Sequence, residues 1–521
     1  MAVSTQRRPV TAVLLVMGLA ALILGALLFS SGSITGNHYS SGDAEQRAVY
    51  RFGQAAQDPL KLRAFLQQMP KGADLHLHLS GAVYAETIIG DAEMDDLCVQ
   101  PGAFTLTQPP CNKGSLPVRN VEQDQNLDDQ LIDAFSMRSF VPHAGVSGHD
   151  QFFATFARFD ALGNEHGGEW VDEIATRAAA QNEQYLEVMT TPPFSNAAKA
   201  GYAAGWTDTS PAGLAALRSK LLASDMQKDI ALDRTEFADD DRVRSQREHC
   251  GTPQAAPACT VTVRYLYQVL RGFPPQQVFA QTLLGFEVAS ANPHVVGINF
   301  VMPEDGAISM RDYHLQMQML DYLHSVYPQV HISLHAGELA YGMVPPDGLK
   351  FHIREAVELG HAERIGHGVD VMYEDNPQQL LKEMRDKHVM VEINLTSNDV
   401  ILGVTGENHP LPIYLAAHVP IALSTDDEGV SRIDLTHEYE RAVTDFHFGY
   451  LDLKRSARTS VEHSFLPGAD LWASPDVFTR MVPACSDAES NDCANFVKTS
   501  EKAQQELELE RRFHAFETSL P

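Results

Sequence analysis

Eight short apolar runs, with helical patterns in several of the intervals between them, constrain this chain more than any single motif does. They are 75–79 (LHLHL), 185–189 (YLEVM), 260–270 (TVTVRYLYQVL), 295–301 (VVGINFV), 330–334 (VHISL), 364–369 (RIGHGV), 389–395 (VMVEINL) and 420–423 (PIAL). Runs this brief and rich in branched residues suit buried strands, because a helix needs a longer stretch to bury a face. Between them, Tyr313, Met317, Leu320, Leu323 and Tyr327 recur at helical spacing, and Pro328 ends that helix. Residues 349–359 form a second helix with Gly360 at the capping position. Residues 151–181 read as helical on Phe152, Phe156, Phe159, Val171, Ile174 and Ala178. Eight β/α units in one chain predict a TIM (β/α)8 barrel rather than a doubly wound sheet.

Two stretches are too long and too polar for ordinary connections and read as insertions after strands 1 and 2. The first, near 91–150, is rich in Pro, Asn, Asp and Gln and has limited helix. The second, near 204–259, carries the run Asp239-Asp240-Asp241-Arg242 and reads as a solvated surface excursion. At the N-terminus, Arg7-Arg8 precedes an uncharged apolar run from Val10 to Phe29. That pattern predicts a signal peptide or an uncleaved signal anchor within 1–35, with the bulk of the chain periplasmic or extracellular. Residues 36–58 follow as a polar linker, and 59–521 as the barrel domain. In an oxidising compartment the six cysteines should pair locally, as Cys98–Cys111, Cys250–Cys259 and Cys485–Cys493. The net charge of -29, from 68 acidic and 39 basic residues, repels phosphate backbones and disfavours a nucleic-acid partner. Nothing in the sequence fixes the oligomeric state.

Barrel enzymes place their chemistry at the C-terminal ends of the strands, and there the runs carry ionisable residues. His76 and His78 alternate with leucines on the first strand, so both imidazoles project to one face. The fifth strand leads into His335-Ala-Gly-Glu338, the sixth carries His367 between two glycines, and the eighth ends in Asp426-Asp427. Three histidines and an aspartate make a zinc shell with one position left for water. A single pair of strand histidines would say little, but convergence from four strands is hard to ascribe to chance.

The ordered set MPKGADLHLHLSGA, SLHAGE, ERIGHGVDV, VEINLTSN and ALSTDDE resembles the adenosine deaminase family of metal-dependent hydrolases. The resemblance runs from about Leu60 to Gly468. MPKG and the exported, cysteine-bearing character lean toward the family's secreted, growth-factor-type branch. It implies one zinc per chain, bound by His76, His78, His335 and Asp426. It further implies that Glu338 protonates the purine N1, His367 orients the attacking water and Asp427 contacts the purine N7. The implied substrate is a small purine nucleoside, deaminated to its 6-oxo form with release of ammonia.

Two positions depart from the family pattern. Ser80 stands where an acidic residue usually contacts the ribose, and Met302 stands where a glycine usually offers its N–H to the purine N3. The ribose requirement and the pocket shape are therefore open. Two other readings stay alongside: a related zinc hydrolase acting on adenine, a modified adenosine or a nucleotide, and an exported adenosine-binding or signalling protein with secondary catalysis. The cytidine-type deaminase scaffold is excluded by the lack of a Pro-Cys-x-x-Cys element.

Overall fold

All eight runs become parallel strands in the computed structural model, which describes residues 41–521 apart from 113 and 207. The strands are β1 Gly72–His78, β2 Glu183–Thr190, β3 Thr262–Leu270, β4 Val295–Val301, β5 His331–Ala336, β6 Arg364–His367, β7 Met390–Ile393 and β8 Ile421–Leu423. They pair in sequence order from β1 to β8. The seam closes just past β8, where the Asp426 N–H donates to the His76 carbonyl at 2.8 Å and the His78 N–H donates to the Asp426 carbonyl at 3.2 Å. The fold is a TIM barrel. On β1 the alternation is as expected: Leu75 and Leu77 join the apolar core, while His76 and His78 meet the other histidines of the barrel interior.

Part of that interior is ionic. Arg364, fully buried at the start of β6, lies 2.7 Å from Glu187 of β2 and 2.7 Å from Glu392 of β7. Its guanidinium also covers the Phe465 ring at 3.8 Å and donates to the His463 carbonyl. A charge buried this deeply persists only when it is paired and hydrogen-bonded.

The segments outside the barrel differ from expectation in three places. The polar stretch 36–58 is not a linker throughout, because Ser41–Ala55 is a helix. Ala44, Ala48, Phe52 and Ala55 make a narrow stripe that packs inward, and alanines weaken its hydrophobic signal in the sequence. The helix expected over 151–181 is two, Gly148–Phe159 and Gly167–Ala180, separated around Gly163 at φ 72°. The second insertion is no solvated excursion. Its long helix Met226–Arg247 buries Asp229, Asp233, Phe237, Asp240 and Arg244, so its inward stripe is largely polar and gives no apolar period. Within the charged run only Asp240 turns inward.

The first insertion holds a three-stranded antiparallel sheet of Cys98–Gln100, Thr105–Thr107 and Leu116–Pro117. All three disulfides form between the cysteines adjacent in sequence. The apolar run 10–29 lies outside the described residues; among those described, no helix is long and apolar enough to cross a membrane.

Replacing Arg364 with Ala would leave two buried carboxylates without their cation. Unfolding free energy should fall by about 3–5 kcal/mol, read as a lower denaturant midpoint; an unchanged midpoint would remove the ionic layer from the account of stability.

Candidate functional site

At the C-terminal mouth of the barrel, His76, His335, His367 and Asp426 bring one potential ligand atom each within 4.8 Å of one another, and all four are buried. His78 joins them, with its Nε2 3.1 Å from Asp426 Oδ1 and 3.3 Å from His335 Nε2. His76 Nε2 is 3.4 Å from the same Asp426 oxygen and has no hydrogen-bond partner. Donors bound to a tetrahedral zinc at 2.0–2.1 Å stand about 3.4 Å apart, so these separations fit a divalent ion.

The outer partners divide the histidines into two kinds. His76 Nδ1 donates to Glu392 at 2.6 Å, His78 Nδ1 to the Gln268 side-chain carbonyl, and His335 Nδ1 to the Asn299 carbonyl at 2.8 Å. The Asn299 oxygen also accepts the His335 backbone N–H, which fixes its identity as the acceptor. Each of the three rings therefore spends its Nδ1 on an outer acceptor and turns Nε2 toward the centre, the atom a ligand would use. His367 is the reverse. Its Nδ1 faces the side-chain N–H2 of Asn398 at 2.9 Å, so its Nε2 carries the proton and points toward Glu338, 3.7 Å away. The set that could hold a metal is thus His76, His78, His335 and Asp426, with His367 beside it as a donor. Asp426 Oδ2 is occupied by the Ser397 hydroxyl at 2.6 Å.

The electrostatics agree with that division. Burial, reinforced by neighbouring imidazoles, takes His335 far below the ordinary value, and burial takes His367 to about 3, so both are neutral. Burial also opposes charge on His76, but Asp426 and Glu392 together outweigh it and lift that ring to about 10, so a cation entering the centre would displace a proton from its Nε2. His76 and His78 in turn outweigh burial at Asp426 and hold it well below the carboxylate range. At Glu338, burial followed by the charges of Asp426 and Glu304 raises the carboxyl well above its ordinary value. Burial raises Asp427 to about 7.

Glu304 positions Glu338 without facing the centre. It accepts the backbone N–H groups of Gly337 and Glu338, and His352 holds it ionised near 2 against the cost of burial. Gly81 makes room for Asp427, since a Cβ there would sit 1.6 Å from its Oδ1. Met302 keeps φ 87°, a conformation that favours glycine, and its sulfur lies against Gly272. Ser80 lines a cavity with Trp170, Thr190, Gln268 and two acids of the inserted helix, Glu236 and Asp240. The roles of Glu392, Gln268, Asn299, Glu304 and Gly81 were not read from the sequence. The one available signal was a charged or amide side chain inside a strand otherwise apolar, as Glu392 is in VMVEINL.

Substituting Glu392 by Gln keeps the size but exchanges the acceptor of His76 for an amide. Divalent-metal affinity should drop about 10–100-fold in a chelator competition; equal affinity would show that this carboxylate does not tune the site.

Comparison with known proteins follows the same lines. Residues 235–471 match the family profile described as adenosine deaminase. Adenosine deaminase of Clostridium perfringens is 37% identical over 135 residues, which span 26% of this chain and 37% of that protein. The enzyme of Shewanella loihica is 34% identical over 140 residues, 27% of this chain and 39% of that protein. The chain thus matches little more than a third of the length of these curated relatives. Among solved structures, a zinc-bound amidohydrolase from Burkholderia ambifaria aligns with TM-score 0.53 and 18% identity, covering 88% of this chain and 94% of that one. The family match excludes β1 and the first insertion, which the motifs from Leu60 onward had included, but the fold brings His76 and His78 to His335 and Asp426 regardless. On the profile match and the ordered HAGE, GHG and TDD elements within it, residues 235–471 are similar to the adenosine deaminase family.

Proposed function

We propose that this protein hydrolyses the exocyclic C6–N bond of an aminopurine nucleoside, adenosine or a close relative, releasing ammonia and leaving the 6-oxo product, with one zinc ion per chain. The observation that carries this is the donor partition: three imidazole Nε2 atoms and a carboxylate converge, while the Glu338 carboxyl, raised by burial, and the His367 Nε2–H stand beside them. Zinc held there would supply Lewis acidity enough to make a water acidic near pH 7.

The chain's own residues supply the rest. Addition of water at C6 moves an electron pair onto N1, and Glu338, kept protonated by its surroundings, is the group that can deliver a proton there. His367 is neutral and offers Nε2–H to the incoming oxygen. Asp427 titrates near 7 and can hold a proton toward N7. When the C6–N bond breaks, its electron pair leaves with the nitrogen; of the two protons brought by the added water, one goes to the amino group, which departs as ammonia, and the other returns to Glu338.

Substrate size is addressed by the cavity beside Ser80. The carboxylate missing at that position is matched by Glu236 and Asp240 from the inserted helix, each titrating at about 7, so they can donate to or accept from hydroxyl groups, and the charge they carry from neutrality upward opposes a phosphate. That favours a nucleoside over a nucleotide. Met302 stands where the family has a glycine, and its sulfur lies against Gly272. Export of the chain to the periplasm or outside the cell, through a signal or anchor in 1–35, belongs to the same proposal, and the family's secreted branch would be its setting.

Glu338→Gln should retain the metal and lose about 10²–10⁴-fold in kcat/KM in an ammonia-release assay on adenosine; near-normal activity would sink the acid role. Because Glu338 acts protonated and its pKa is raised, wild-type activity should hold through neutrality and fall as pH rises through that value. An alkaline limb set by Glu338 is expected to be absent from the residual rate of the Gln variant. Gly81→Ala should push Asp427 aside and cost about 10–100-fold in kcat/KM, whereas an unaffected enzyme would mean that Asp427 does not touch substrate.

A further inference from the structure

His367 is useful to the proposed reaction only in one tautomer, and the structure contains a chain of groups that selects it. The Leu411 backbone N–H donates to His409 Nδ1 at 3.1 Å. That leaves the proton of His409 on Nε2, which donates to the Asn398 side-chain carbonyl at 2.9 Å. The Asn398 amide is then oriented with its N–H2 toward His367 Nδ1, at 2.9 Å, with the Asn394 N–H2 behind it at 3.4 Å. Every link alternates donor and acceptor, and the first is a backbone amide, which can only donate.

We infer that His409 and Asn398 are positioning residues that fix His367 as the Nε2–H tautomer through a relay anchored at the Leu411 amide. This rests on the reading of His367 as the donor beside the reacting centre. Reversing the chain would require Asn398 to turn its N–H2 toward His409. His409 would then need its proton on Nδ1, against the Leu411 N–H, so two donors would face each other with no water between them. Leu411, Asn398 and His367 are fully buried and His409 is 2% exposed, so solvent cannot repair such a clash. Asn394 adds a second N–H2 that the other tautomer would also confront. His409 lies 42 residues beyond His367, in the connection after β7, and touches neither the metal-ligating histidines nor Glu338 in any hydrogen bond described above. Burial and the nearby Arg441 charge keep its ring neutral, as the chain of bonds requires.

The test uses the full-length, metal-loaded protein with 15N-histidine labelling, and adenosine as the kinetic probe. Wild type should show His367, assigned by its disappearance in His367→Gln, with the proton on Nε2. Asn398→Asp is nearly isosteric but can only accept, so it should move the His367 proton to Nδ1. It should lower kcat at least about 100-fold while metal content and KM stay within about threefold. His409→Leu removes the donor to Asn398 and should give mixed tautomers with about a 10-fold loss of kcat. His409→Gln can both accept from Leu411 and donate to Asn398, and should restore kcat to within about threefold. A wild-type His367 protonated on Nδ1, or an Asn398→Asp enzyme with switched tautomer and normal kcat, would overturn the relay. If wild type deaminates no purine, the function is wrong, yet the spectra still decide the tautomer. If Asn398→Asp does not fold, the wild-type spectrum and the two His409 variants decide it.

Discussion

The bond between the last strand and the first, made by the main chain of Asp426, is the constraint on which the site depends. Its N–H and carbonyl grip His76 and His78 on either side of Leu77, so the hydrogen bonds that shut the barrel also set one carboxylate against two imidazoles. The residue reaches this position through a positive φ of 62°, which asparagine and aspartate tolerate better than most side chains. Side-chain and main-chain roles cannot be separated here: loosening the seam would shift Asp426 Oδ1 relative to both rings. A cation held by β1, β5 and Asp426 would in turn cross-link the two edges of the sheet.

Beneath that seam the barrel interior is polar where a structural barrel would be filled with branched side chains. Arg364 neutralises Glu187 and Glu392, and Glu392 then orients His76. Ser333 links Glu392 to Asn299, which orients His335. Burying such a layer is not a route to stability, since apolar packing of equal volume serves as well or better. What the layer does is remove freedom: each imidazole has one tautomer and one ring orientation before any ligand arrives. The same economy explains the fourth histidine. His367 is as close to the cluster as the others, and the amide behind it, rather than a carboxylate or carbonyl, turns its proton to Nε2 and suits it to donate rather than to bind a metal.

The barrel was legible because strand length and helical spacing are local properties. VVGINFV occupies its strand residue for residue, and the helix built on Tyr313, Met317, Leu320 and Leu323 runs from Ala307 to Val326. The convergence of His76, His335, His367 and Asp426 was legible because His and Asp at strand ends have few other reasons to recur in that order. Three features were hidden for separate reasons. Glu392, Gln268 and Asn299 lie inside apolar strands, and their partners are 316, 190 and 36 residues away in sequence. The helix Ser41–Ala55 buries alanines, which a polar composition conceals. Met226–Arg247 buries carboxylates, so a rule that equates charge with solvent reads its face backwards.

That last helix bears on how a barrel with the proposed activity could change what it accepts without changing its chemistry. The metal-facing and proton-handling groups come from strand ends fixed by the ladder, and a substitution there would disturb several partners together. Ser80, two residues beyond His78, is different: it belongs to the rim, where its side chain faces a cavity rather than the centre. An acid removed at that point can be replaced from another segment, provided a backbone is close enough. Helix Met226–Arg247 meets that condition, because Gly167 and Gly168 on the facing helix let it approach until a Cβ at Gly167 would lie 2.6 Å from Asp240 Oδ1. Burial keeps Glu236 and Asp240 near neutrality, each titrating at about 7, so they can donate as well as accept. A rim acid on β1 would be ionised and fixed; a pair on an inserted helix can be tuned by that helix's own packing. Under the proposed function, substrate selection would thereby move off the barrel and onto the insertion, while the centre below remains bound by the seam at Asp426.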